Sequence, residues 1–195
     1  MKTVQMTAAD VATRTARFDK LQAMSTLKDN PVVPQEARDI FLARKIMPIL
    51  LEQTQNAFGS VAAIYGAAGL TMNISVCPPG QGPGLHAHHK TFETFFVLEG
   101  KFEFSVNDDG SEKVILNQWD TFSVPPGVCR GFRNIADTDS KLLTVITGGV
   151  HDRNDISLPP SIGKALDAYG PGVLDEVKKI GLTFDAGVEA AATYG

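Results

Sequence analysis

The 195-residue chain has little of several features that mark specialised classes of protein. Its only cysteines are Cys77 and Cys129, which excludes a disulfide-stapled scaffold and favours a reducing compartment. No apolar run reaches the roughly 18 residues that a membrane-spanning helix needs. The first twenty residues also lack the apolar stretch of a signal peptide. We therefore expect a cytoplasmic protein that does not bind membranes.

The chain also lacks an excess of positive charge. It carries 18 Lys and Arg against 22 Asp and Glu, a formal net charge of −4. This mildly acidic balance gives no basic footprint for nucleic acid. What the chain does have is 43% hydrophobic and only 21% charged residues. That composition predicts a folded protein with a hydrophobic core and excludes a disordered chain.

Local patterns divide the chain into three regions, which we predict as a helical N-terminal extension (1–60), a β-domain (61–150) and a helical C-terminal extension (151–195). In the first region, Pro34 is placed to open a short helix. Residues 44–51 are predicted as an edge strand because Pro48 cannot donate a ladder hydrogen bond.

The central region consists of short runs of β-branched and aromatic residues separated by turn residues. Eight or so short strands at regular spacing are typical of a sandwich or barrel. The clearest predicted strands are 70–77, 93–98, 101–106, 113–116, 121–124, 130–135 and 142–147. In the last region, 161–169 and 173–180 are candidate helices, with Gly181 as the residue that ends the second.

Three of the four histidines lie within four residues, at His86, His88 and His89. Because side chains alternate along a strand, His86 and His88 emerge on the same face, and Glu93 on the next strand can fold back towards them. Two imidazoles and one carboxylate are a ligand set suited to Fe(II), and also to Zn(II), Mn(II) or Ni(II). Alone, however, such a His-x-His pair is as often an ordinary exposed polar pair.

The spacing around these residues resembles the first signature of the cupin superfamily. Gly80, His86, His88, Glu93 and Gly100 occupy every fixed position of that signature. The resemblance is specific in residue type and in spacing. It makes the metal-binding interpretation of the cluster the favoured one.

The second cupin signature is matched in part. Pro125, Gly127 and Asn134 fit, whereas Trp119 stands where the family has glycine and Arg130 where many relatives have a metal-binding histidine. The resemblance implies an all-β fold, an antiparallel jelly-roll barrel with the helical extensions added to it. It also implies a homodimer, and one divalent metal ion held inside the barrel, with Fe(II) favoured.

Arg130 leaves two alternatives open, because arginine stays protonated and cannot bind a metal. In the first, His86, His88 and Glu93 hold the ion, and Arg130 acts in catalysis by binding negative charge on the substrate. In the second, Arg130 pairs with Glu93 and the site holds no metal. We favour the first alternative because all three ligands are present.

Side chains on the same strand faces as the metal ligands are candidates for a substrate pocket. Phe95 and Val97 share the face of Glu93, and Phe132 shares the face of Arg130. An apolar cavity with a metal and one cation suits a small organic acid or a phenol. The favoured function is a metal-dependent oxygenase, and the alternatives are a metal-dependent isomerase or lyase and a non-catalytic binding or sensing protein.

The remaining reactive side chains are given ordinary roles. The side chain of His89 is expected on the opposite strand face from that of His88, where it faces solvent. His151 is expected in a loop. Cys77 and Cys129 are expected to be small buried residues, not nucleophiles. Asn134 is expected to brace the backbone.

Overall fold

The computed structural model describes residues 1–52, 61–66, 68–149 and 153–188. Most of the regular structure in these residues is β. The strands are β1 (Lys45–Leu51), β2 (Ile64–Tyr65), β3 (Leu70–Cys77), β4 (Ala87–His88), β5 (Phe92–Glu99), β6 (Lys101–Val106), β7 (Glu112–Asn117), β8 (Thr121–Val124), β9 (Arg130–Asn134), β10 (Ser140–Thr147) and β11 (Ile156–Ser157). The helices are α1 (Ala8–Thr13), α2 (Gln35–Phe41), α3 (Pro160–Asp167) and α4 (Val173–Lys179), with 3-10 turns at Phe18–Lys20 and Arg153–Asp155.

The strands form one large sheet and a second layer of shorter ladders. The large sheet has the order β2-β1-β3-β10-β5-β8, and every pairing in it is antiparallel except β1 with β2. The second layer has the ladders β7-β6-β9 and β11-β4, which are joined by a bridge between His86 and Arg130. This arrangement confirms the predicted antiparallel jelly-roll with helical additions.

The main core fills the space between the two layers, because alternate side chains on each strand point inward. Phe95 on β5 packs against Phe104 on β6 with ring centroids 4.8 Å apart, and both rings contact Phe132 on β9. These rings are fully or nearly fully buried. The aromatic cluster closes the interior beside the strands that carry the predicted site.

The N- and C-terminal extensions share a second hydrophobic cluster. It joins α2, α3, α4 and the residues beside them, and its buried members are Val33, Ala37, Phe41, Leu158, Leu166, Val173, Val177 and Leu182. Two segments far apart in sequence therefore pack on each other at one end of the barrel. Among the described residues, no helix is both long and apolar enough to cross a membrane.

The strand predicted over residues 44–51 is β1, and the expected edge position holds for most of its length. β2 pairs only with Leu50 and Leu51, and the register with β3 shifts between Pro48 and Leu50. Pro48 therefore lies where β3 is the one strand partner of β1 among the described residues. The main sheet therefore begins before residue 61, and the three-region division of the chain stays a prediction.

Asn134 braces the backbone as expected. Its side-chain amide donates to the carbonyls of Cys77 and Thr138, at 2.8 and 2.7 Å. Its oxygen accepts from the Ala136 N–H and from the Ser140 hydroxyl, both at 2.8 Å. The residue thereby ties the end of β9 to β3 and to the start of β10.

The hairpin between β5 and β6 depends on a glycine. Gly100 has φ +85°, and a Cβ added there would lie 1.9 Å from the Ser140 hydroxyl oxygen. We expect Gly100→Ala to lower the free energy of unfolding by about 2 kcal/mol or more, because it adds steric overlap to left-handed strain of roughly 1–2 kcal/mol. Urea unfolding measures the loss.

Gly80→Ala is the matched control. Gly80 has φ +75°, and an added Cβ would meet no atom of the described residues within 4 Å, so only the backbone strain applies. Equal losses of stability in the two variants would contradict the role given to the Ser140 contact.

Candidate metal centre

Strand β4, the residue just before it and strand β5 bring together the three residues predicted to bind a metal. The Nε2 atoms of His86 and His88 lie 3.6 and 3.8 Å from the same carboxylate oxygen, Oε2 of Glu93. One possible ligand atom from each residue falls within 4.8 Å of the others. Ala87, between the two histidines, packs instead with Cys129 and Ala186. The alternation of side chains that the sequence predicted is therefore present.

Hydrogen bonds on the far side of each ring set the histidine tautomers. His86 Nδ1 lies 2.9 Å from the carbonyl oxygen of Gly84, which can only accept, so Nδ1 carries the proton. His88 Nδ1 lies 2.8 Å from the hydroxyl oxygen of Thr91. That hydroxyl donates its own hydrogen to Asp155, at 2.5 Å, and so accepts from His88.

With Nδ1 engaged in this way, Nε2 is the ring nitrogen of each histidine that faces Glu93 and can bind a metal ion. Metal-binding histidines generally donate their other N–H to an oxygen in this manner. The donor set and its surroundings fit a divalent metal ion.

Glu93 is ionised although only 7% of its surface is exposed. Burial alone would raise the pKa of this carboxyl, but the Arg130 guanidinium, followed by His88 and His86, holds the pKa well below the ordinary 4.5. The stabilisation from this interaction is complete above about pH 4.5 and is lost as the pH falls through the depressed pKa.

Arg130 pairs with the same oxygen of Glu93 that faces the two histidines, and its role in binding the substrate stays a prediction. It is completely buried, and its Nε donates to Glu93 Oε2 at 2.8 Å, while Nη2 lies 2.6 Å from the same oxygen. Nη1 points to the carbonyls of His86 and Val128, each at 3.4 Å. Nη2 makes no hydrogen bond of good geometry within the described residues, although it is ion-paired with Glu93. Glu93 lines the cavity and Arg130 is not among the described lining residues.

The structure combines features of both alternatives for Arg130. The two histidines and Glu93 converge as the metal site requires, and the guanidinium pairs with Glu93 as the metal-free alternative requires. The two are compatible because the backbone bridge between His86 and Arg130 sets both side chains on the inner face. Glu93 can therefore be held by Arg130 and still face the histidines.

A known protein-family profile matches the central part of the chain. Residues 73–146 match the profile of the family described as "Cupin domain". The chain contains a cupin domain. No protein in the curated set matches the sequence significantly. The matched segment includes the three candidate ligands and Arg130.

Solved structures resemble the protein over part of its length. The Schizosaccharomyces pombe Cnp3 cupin domain is 17% identical, with a TM-score of 0.43 over 53% of this chain and 64% of that one. A predicted oxalate decarboxylase from Thermotoga maritima is 28% identical, with a TM-score of 0.37 over 40% and 65%. KdgF from Halomonas sp. is 20% identical, with a TM-score of 0.39 over 43% and 74%. The chain thus spans just under two thirds of the first two structures.

The cupin barrel contains a cavity of about 120 Å³ beside the candidate ligands. Phe132 lines it as predicted, whereas Phe95 and Val97 are completely buried in the main core and are not among the described lining residues. All three side chains point inward, but Phe95 and Val97 fill the interior itself. The apolar lining comes largely from the two extensions and from β1, with Met24, Phe41, Leu42, Ala43, Ile46, Ile156, Leu158, Ile180 and Leu182.

Of the other reactive residues, His89, Cys77 and Cys129 lie as expected in the described structure. His89 is exposed, and His151 lies outside the described residues. Burial raises the pKa of the Cys77 thiol to about 12. The pKa of Cys129 is also raised to about 12, first by burial and then by Asp108. Neither thiol supplies a thiolate near neutral pH.

Sequence reasoning missed Thr91 and Asp155. Thr91 stands between His88 and Glu93, so its proximity was available as a weak signal. Asp155 lies in the C-terminal extension, and its approach to His88 depends on the pairing of β11 with β4. A two-residue ladder between such distant segments leaves no pattern in one sequence.

Proposed function

We propose that this protein is a metal-dependent cupin enzyme, an oxygenase of a small organic substrate. The observation that carries the proposal is the convergence of two histidine Nε2 atoms and an ionised carboxylate beside an apolar cavity. Iron(II) is the favoured ion, with Zn(II), Mn(II) and Ni(II) as alternatives. His86, His88 and Glu93 are the proposed ligands, which leaves positions for substrate and oxygen.

The metal would act as a Lewis acid and, as iron, would activate oxygen. The residues around it have separate tasks. Gly84 and Thr91 fix the two imidazole tautomers, and Arg130 keeps Glu93 ionised. The apolar walls exclude water from the reacting groups, which strengthens the electrostatic interactions inside the site.

The size and lining of the cavity indicate the substrate class. An apolar cavity of about 150 Å³ holds benzene, so a ligand of about six heavy atoms suits one of about 120 Å³. The polar lining residues Asn73, Ser75 and Thr144 lie on β3 and β10 and can bind one hydroxyl or carbonyl group. Because Arg130 faces Glu93, negative charge on an acid or phenol substrate would be met by the metal ion.

Oxygen uptake tests the proposed reaction. Metal-stripped protein is loaded with Fe(II) under argon and mixed with small phenols and short-chain organic acids. We expect consumption of oxygen coupled to loss of one of these compounds, with no turnover when Zn(II) replaces iron. Turnover under argon would contradict the oxygenase and would support an isomerase or lyase.

A specific observation also favours a non-catalytic second candidate. The ion pair between Arg130 and Glu93 already neutralises the buried carboxylate, as a metal-free binding or sensing protein requires. In that case a small ligand would raise the melting temperature without turnover, and a chelator would not change the effect. A homodimer and a cytoplasmic location are further proposals, and light scattering on the purified protein tests the first.

A further inference from the structure

A buried chain of hydrogen bonds connects the C-terminal segment to the candidate metal centre. It runs from His88 Nδ1 to the Thr91 hydroxyl and on to Asp155 Oδ2, over 2.8 and 2.5 Å. Thr91 and Asp155 are completely buried, and His88 nearly so. A buried carboxylate 64 residues away from Thr91 in sequence therefore acts on the far side of a proposed metal ligand.

The backbone of Asp155 is fixed against the strand that carries His88. Ile156 pairs with His88 in the ladder between β11 and β4. The carbonyl oxygen of Asp155 accepts from the His89 N–H at 2.8 Å. Main-chain hydrogen bonds therefore fix the position of Asp155 relative to His88, and the short aspartate side chain contacts Thr91 from there.

The two carboxylate oxygens of Asp155 have different donors. Oδ1 accepts from the backbone N–H of Lys90 at 2.7 Å, and Oδ2 accepts from the Thr91 hydroxyl. The carboxylate is therefore held in one orientation. Since the single hydroxyl hydrogen of Thr91 goes to Asp155, the Thr91 oxygen accepts from His88 Nδ1–H.

We infer that Asp155 is a positioning residue that holds His88 in the Nδ1–H tautomer, through the Thr91 hydroxyl and through its own Oδ2, which lies 3.3 Å from His88 Nδ1. The Nε2 lone pair of His88 is thereby directed to the centre, and the C-terminal segment completes the site. The inference rests on the proposed metal-binding function. It gives the extension a direct part in the chemistry of the barrel.

The substitution Asp155→Asn has a specific expected effect on the tautomer. The Lys90 N–H needs an acceptor, so the amide oxygen of the new side chain faces it and the NH₂ group faces Thr91. The Thr91 oxygen must then accept from the amide, and its hydrogen turns towards His88 Nδ1. His88 then carries its proton on Nε2, where it blocks metal binding.

Metal titration and nitrogen NMR test this expectation. We expect Asp155→Asn and Thr91→Val each to weaken Zn(II) binding by about 10- to 100-fold, the range typical of groups that orient metal ligands. Thr91→Ser keeps the hydroxyl and should restore most of the affinity. In ¹⁵N-histidine spectra of metal-free protein, His88 should be the Nδ1–H tautomer in the wild type and the Nε2–H tautomer in Asp155→Asn. A loss of packing around His88 would weaken Zn(II) binding but would not move the proton from Nδ1 to Nε2.

Asp185→Asn is the matched control, because Asp185 lies in the same segment and accepts from the Ser157 hydroxyl at 2.5 Å. Its Zn(II) affinity should equal that of the wild type. Unchanged affinity in both Asp155→Asn and Thr91→Val, or an Nε2–H tautomer of His88 in the wild type, overturns the inference. If the wild type binds no Zn(II) but the tautomer exchange occurs, the positioning role is supported and the proposed metal-dependent function fails.

Discussion

Replacement of Arg130 with methionine is expected to lower the free energy of unfolding by about 3–5 kcal/mol at pH 7. The substitution leaves Glu93 ionised and buried without the guanidinium that lies 2.6–2.8 Å from its Oε2. Part of the loss should be recovered as the pH is lowered from 7, because burial without the guanidinium raises the pKa of Glu93 and lets the carboxyl take up a proton. Urea unfolding at pH 7, with and without Zn(II), measures these effects.

A double variant separates the ion pair from the packing of the long arginine side chain. Arg130→Met combined with Glu93→Gln removes both charges and should be less destabilised than Arg130→Met alone. Zn(II) should restore stability to Arg130→Met more than to the double variant, because the ion binds to Glu93. Equal stability of the wild type and Arg130→Met would show that the buried pair contributes nothing.

The double substitution His86→Ala, His88→Ala is expected to abolish metal binding. It removes two of the three ligand atoms that lie within 4.8 Å of one another and leaves a single carboxylate, which is already paired with Arg130. Elemental analysis of protein purified without chelators should give about one metal ion per chain for the wild type and almost none for the variant. Oxygen uptake should be lost with the metal.

His89→Ala is the control for this pair, because His89 is exposed and follows the two ligands in sequence. Its metal content should match that of the wild type. If the wild type and the double variant hold the same negligible amount of metal, the oxygenase proposal fails and the metal-free alternative is supported.

The longer strands could be predicted because alternation over five or more residues is a strong signal. β3 was predicted with the bounds Leu70–Cys77 that the structure has, and β5 and β6 within one residue. β2, β4 and β11 have two residues each, too few to show a period. Their pairing depends on contacts between distant parts of the chain, which a single sequence does not reveal.

The candidate site could be predicted as far as the alternation of side chains between the two faces of a strand allows. Alternation places His86, His88, Arg130 and Phe132 on the inner face, and the structure agrees. Parity does not tell how deep an inward side chain lies, so Phe95 was placed in the cavity although it fills the core. Alternation also does not show which anion pairs with an inward-pointing arginine. Here Arg130 pairs with Glu93, a side chain of the protein itself.

The walls of the cavity have a consequence for engineering the protein. The segment 153–188 supplies Ile156, Leu158, Ile180 and Leu182 to those walls and places Asp155 behind His88. A shortened chain that stops after β10 would keep every large-sheet strand, yet its cavity would lose these four walls and open to bulk water on one side. The smallest unit with an intact cavity is therefore larger than the barrel, and libraries designed to change what the cavity binds belong as much in the tail as in the strands.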